Sequence, residues 1–66
     1  MNAPRDIGAR IREARKAAGL TQEQLAELAD TSTRTVRDIE KGTGATGLGV
    51  VARVAEVVGL RLVAEG

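Results

Sequence analysis

The chain has 66 residues, and its ten basic and nine acidic side chains leave a net charge of +1. A single domain of that size buries a marginal core and gains from a staple or a partner. It has no Cys, His or aromatic residue, which excludes disulfides, thiolate or imidazole metal sites, a histidine general base and stacking platforms for single strands.

No apolar run is long enough for a membrane span, and Arg and Glu interrupt the first apolar cluster, so no signal peptide is expected. The reading is of a soluble cytoplasmic protein with no membrane association. Its charges nearly cancel, so any case for nucleic acid depends on where the cations sit.

In chain order, the first helix is expected from Pro4 to Ala18. Proline suits a first turn, whose amide has no intrahelical partner. Ile7, Ile11, Ala14 and Ala18 recur at spacings of three and four and form one apolar stripe. Arg5, Arg10, Arg12, Arg15 and Lys16 lie around the rest, and Gly19 ends the helix.

Thr21-Gln22-Glu23-Gln24 then fits a capping box, with Thr21 as N-cap and Gln24 three residues on. Leu25, Leu28 and Ala29 give this second helix its apolar face. It stops near Ala29 or Asp30, because Asp is one of the few residues besides Gly that accept a left-handed turn. Thr31-Ser32-Thr33 supplies cap oxygens for a third helix running to Lys41, with Val36 and Ile39 inward and Gly42 closing it.

A loop from Gly42 to Gly47 leads to a fourth helix, Leu48 to Val58, with Leu48, Val51, Ala55 and Val58 on one side. Val50, Val54 and Val57 widen the apolar surface. After Gly59, residues 60–65 begin as apolar/charged alternation, the pattern of a short strand. No second strand candidate exists, so it either frays or pairs with another chain.

Two short helices joined by a tight turn, the second bearing outward cations, have the geometry of a helix-turn-helix over residues 21–41. With Val36 and Ile39 inward, Arg34, Arg37, Asp38 and Lys41 point away from the core, and Thr33 and Thr35 flank them. Arg can hold guanine O6 and N7 bidentately, and Thr can bond a base or touch a thymine methyl. The start of the second helix, around Thr21 and Gln22, offers amides suited to a phosphate. The plain alternative is a solvated face with local ion pairs to Asp38 and Glu40.

The run Leu20 to Ala29, followed by Ser32, Val36, Ile39 and Glu40-Lys41-Gly42, resembles the Cro/lambda-repressor-like (XRE) helix-turn-helix family over Ile7 to Val58. The resemblance implies a mainly α, four-helix DNA-binding domain spanning residues 1–66, which binds double-stranded operator DNA as a two-fold homodimer. It implies a bacterial repressor, not an enzyme, with no cofactor, associated with the nucleoid when bound to DNA. Carried over by position, Thr33, Arg34, Arg37 and Asp38 face bases, while Thr21, Gln22, Lys41 and Thr43 sit near phosphates. Arg15 and Glu40 would pair, tying the first helix to the end of the third; by composition alone each is an ordinary surface charge.

Two positions depart from the pattern. Asp30 stands at a turn position usually held by Gly, and Thr31 replaces the apolar residue that usually follows. Asp38 would repel phosphate, yet it could accept from cytosine N4 or orient Arg34 or Arg37, and the residues alone favour neither role.

Leu48-Gly49, Arg53-Val54 and Gly59-Leu60-Arg61-Leu62 resemble the antitoxins of HipBA-type toxin–antitoxin modules. That implies a C-terminal strand pairing across the homodimer through Leu60, Leu62, Val63 and Ala64, and a possible HipA-like kinase toxin as second partner. The other reading is a protein-interaction module that neutralises a partner toxin without operator binding.

Overall fold

The structure is a computed structural model that describes residues 3–43 and 46–61. Four helices run in chain order, α1 Ala3–Ala17, α2 Gln22–Leu28, α3 Thr33–Lys41 and α4 Leu48–Val57. The four expected helices form, with ends shifted by a residue. No strand occurs among the described residues.

Local chemistry accounts for the starts of α2 and α3. Thr21 Oγ1 accepts from the Gln24 amide at 3.0 Å while Gln24 Oε1 accepts from the Thr21 amide at 2.9 Å, the reciprocal capping box. Ser32 Oγ accepts from the Thr35 amide at 3.1 Å and shares a hydroxyl contact with Thr35 Oγ1 at 2.9 Å. At α4, Gly47 occupies the N-cap position and offers no side-chain bond.

The four helices end alike, with a left-handed residue that lets later amides reach back to otherwise orphaned carbonyls. At α2 that residue is Asp30, with φ of 55°, the one positive φ outside Gly among the described residues. The Asp30 and Thr31 amides donate to the Glu27 and Ala26 carbonyls at 3.2 and 2.9 Å. Asp thus does at the turn what Gly would do, at some conformational cost.

One core holds the helices together: Ile11 from α1, Leu25, Ala26 and Ala29 from α2 and its cap, Val36 and Ile39 from α3, and Val54 and Ala55 from α4. Ile7, Val50, Val51, Val57, Val58 and Leu60 pack against it half-buried. Three expected core positions fail. Leu28 is 62% exposed, because the buried arc of α2 centres on Ala29, about 100° away around the helix. Leu48 is 70% exposed, because α4 turns Val54 and Ala55 inward. Ala18, expected at the end of the α1 stripe, is also exposed, while Gly8 and Arg15 are buried there.

Gly8 explains how closely α1 approaches α3. A Cβ built there would collide with the Ile39 carbonyl oxygen and lie 3.0 Å from that of Glu40. Only a residue without a side chain lets the two backbones meet.

The expected strand requires a correction. Leu60 donates its amide to the Ala55 carbonyl at 2.9 Å and packs against the core, so it completes the end of α4. Arg61 is likewise outside any strand, and Leu62, Val63 and Ala64 lie outside the described residues. A recess of about 100 Å³ lined by Ile7, Arg10, Leu60 and Arg61 sits where the chain returns to α1. No described helix is long and apolar enough to cross a membrane.

Candidate nucleic-acid interface

α3 is anchored on one face and open on the other. Val36 is fully buried and Ile39 nearly so, which fixes the helix about its own axis. That rotation exposes Arg34, Arg37 and Lys41 and leaves Thr33, Thr35 and Asp38 half-buried. The residues expected to face bases therefore share one outward face, with Thr33 and Arg34 in the first turn and Arg37 and Asp38 in the second. Arg34 and Arg37 make no ion pair within 4.0 Å among the described residues, where Arg15–Glu40 is the sole salt bridge. Both guanidinium groups remain available to an outside acceptor.

The tilt of α3 is set by a buried polar network. Arg15 Nε donates to Glu40 Oε2 at 2.7 Å and Arg15 Nη2 to Glu40 Oε1 at 3.1 Å, a two-pronged pairing. Arg15 Nη1 donates to the Leu20 carbonyl at 2.9 Å, binding the α1–α2 turn to the same group. The Gln22 amide Nε2 donates to Glu40 Oε1 at 3.2 Å. The Arg15 and Glu40 side chains are only 10% and 3% exposed, so the pair is buried rather than superficial. Such a pair adds little net stability but imposes a geometry, because each charge needs its partner once water is gone. No buried side-chain nitrogen or oxygen among the described residues lacks a partner.

The network changes how the expected phosphate contacts are placed. Thr21 is exposed and Gln22 half-buried at the start of α2, but the Gln22 amide already spends one N–H on Glu40. Its second N–H and the Gln22 and Glu23 backbone amides of the first turn remain for an anion. Lys41 and Thr43 are exposed at the far end of α3, and the Thr43 amide donates to the Asp38 carbonyl at 3.4 Å.

Sequence reasoning missed Gly8 and the Gln22–Glu40 bond. A glycine interrupting an otherwise helical pattern was the available signal for the first, since it is costly there without a packing reason. Nothing in the spacing signals the second, which joins residues 18 positions apart.

Comparison with known proteins gives consistent results. A helix-turn-helix family model matches residues 11–64. The uncharacterised HTH-type transcriptional regulator y4mF of Sinorhizobium fredii is 36% identical over 59 residues, covering 89% of this chain and 78% of that protein. Among solved structures, the clp gene regulator ClgR from Corynebacterium glutamicum superposes with a TM-score of 0.76 at 26% identity. The match covers 88% of this chain but 62% of ClgR, so this sequence spans less than two thirds of its structural neighbour.

Proposed function

The chain belongs to the helix-turn-helix family, and from that premise we propose that it is a sequence-specific DNA-binding transcriptional regulator, a repressor acting as a two-fold homodimer. The observation that carries this reading is that Arg34 and Arg37, with no ion pair among the described residues, share the outward face of a helix whose inward face is locked in the core. Thr33, Arg34, Arg37 and Asp38 meet base edges in the major groove. Thr21, Gln22, Lys41 and Thr43 contact phosphates and fix the register. The reading assigns binding and no catalysis.

Two finer assignments complete the proposal. Leu62, Val63 and Ala64 follow the end of α4 as an apolar run in the sequence, and they pair with their two-fold mates to clasp the dimer. The resemblance of the C-terminal third to HipBA-type antitoxins supports reading the protein as an antitoxin of the bacterial cytoplasm, with a HipA-like kinase toxin as second partner.

Binding to a randomised pool of duplex DNA, followed by fluorescence anisotropy on the enriched sequence, tests the reading. Replacing both Arg34 and Arg37 with Ala should weaken binding about a hundredfold or more while leaving helicity and the melting transition unchanged, two lost base contacts at 1–3 kcal/mol each. Unchanged affinity would remove the base-reading assignment and leave a protein-interaction module as the better description.

A further inference from the structure

Asp38 is the one acidic side chain on the outward face of α3, among the cations Arg34, Arg37 and Lys41. None of the three comes within 4.0 Å of its carboxylate. The helix gives a reason for Arg34, which precedes Asp38 by one turn. A cation N-terminal to an acid at that spacing is the weaker order, because it opposes the helix dipole. The Asp38 backbone carbonyl accepts from the Gly42 and Thr43 amides, so its main chain is fixed while its carboxylate has no ion-pair partner among the described residues. Asp38 is half-buried, so part of its side chain still reaches the outward face.

We propose that Asp38 is the specificity-determining residue of this surface, selecting a cytosine in each half-site and penalising other bases at that position. The inference rests on the reading of α3 as the base-reading helix and deepens it. In the major groove guanine offers only acceptors, and thymine an acceptor and a methyl group. A carboxylate has no donor to give them and is repelled. Cytosine N4 has an acceptor on one side only, O6 of the paired guanine, whereas adenine N6 lies between two acceptors, its own N7 and O4 of the paired thymine. Arg34 and Arg37 supply the complementary demand, donors that seek guanine O6 and N7. The preferred half-site therefore holds guanines for Arg34 and Arg37 and a cytosine for Asp38. On mixed sequence the same carboxylate works against binding, since it faces phosphates and acceptor edges with nothing to accept from. The residue thus costs affinity everywhere except at its cognate base.

The experiment is selection from a randomised duplex pool with the full chain, Asp38→Ala and Asp38→Asn, then anisotropy on the enriched duplex, single-pair variants of it and a mixed-sequence duplex. For the unaltered protein one C·G pair in each half-site should be required, its replacement by T·A costing roughly fivefold or more. Asp38→Ala should lose that preference to within about twofold and bind mixed-sequence DNA about threefold more tightly, because a charge facing phosphate is gone. Asp38→Asn should move the preference to adenine, whose N6 and N7 suit a carboxamide. An enriched site unchanged in both variants overturns the assignment of Asp38 alone. An unaltered chain that enriches no sequence overturns the operator-binding reading itself, and this inference with it. Helical circular dichroism of each variant separates either result from misfolding.

Discussion

The α2–α3 unit and α4 are built to different standards. α2 and α3 start on side-chain caps and bury Leu25, Ala26, Val36 and Ile39. They are also cross-linked to α1 through Arg15, Gln22 and Glu40. α4 starts on Gly47 with no side-chain cap, leaves Leu48 in solvent and half-buries Val50, Val51 and Val57. The first region is braced by caps and a buried polar network although it exposes Leu28, whereas the second has neither device and keeps Leu48 and several valines in contact with water. A region so braced within one chain suits a rigid reading head. A region left incomplete suits contact with something else, which the proposed dimer would supply.

The comparison can be broken first at Glu40. Glu40→Ala leaves the buried Arg15 guanidinium without its carboxylate and should cost about 3–5 kcal/mol, enough to unfold much of so small a domain. A thermal melt followed by circular dichroism measures it. A loss below about 1 kcal/mol would mean that Arg15 escapes to solvent and that the network does not hold α3.

A smaller effect is expected from the other region. Ending the chain after Arg61 spares Leu60, which packs on the core, and removes only residues 62–66. If these residues clasp the dimer, self-association should weaken about tenfold, since a few cross-strand pairs contribute about 0.2–1 kcal/mol each. Sedimentation measures the change. A truncated chain that dimerises as before would place the interface on α4.

The smallest effect sharpens the difference between caps. Gly47→Asp supplies the missing N-cap oxygen of α4, but glycine is already a tolerable cap, so the gain should be a few tenths of a kcal/mol. Chemical denaturation resolves it if the midpoint shifts at constant slope. A gain above about 1 kcal/mol would show that the start of α4 limits the stability of the whole domain.

Much of the fold was legible because it is encoded locally. Thr21, Gln24, Ser32, Gly42 and Asp30 act within four residues of themselves, and their roles follow from hydrogen-bond geometry that any short segment can adopt. Val36 and Ile39 were legible for the same reason, since two inward residues three apart fix which side of α3 faces out. Leu28 and Leu48 misled because apolarity marks several positions on a helix, and only the neighbouring helices decide which are covered. Leu60 misled because its alternation with Arg61 resembles a strand, while its amide is already used by the end of α4. On the candidate site, the outward set on α3 follows from the helical wheel. The second demand on Gln22 does not, because it depends on where Glu40 arrives from another helix.

The close passage of α1 over α3 at Gly8 bears on how freely this sequence could vary. Every other amino acid places a Cβ against the Ile39 carbonyl, whereas Ala9 and Arg10 beside it are exposed and can change with little consequence. In a saturation library screened for folded protein, position 8 should reject every substitution, whereas Ile7 and Ile11 nearby should still accept other apolar residues. A mutational map of that kind would locate the helix crossing without any structure at all.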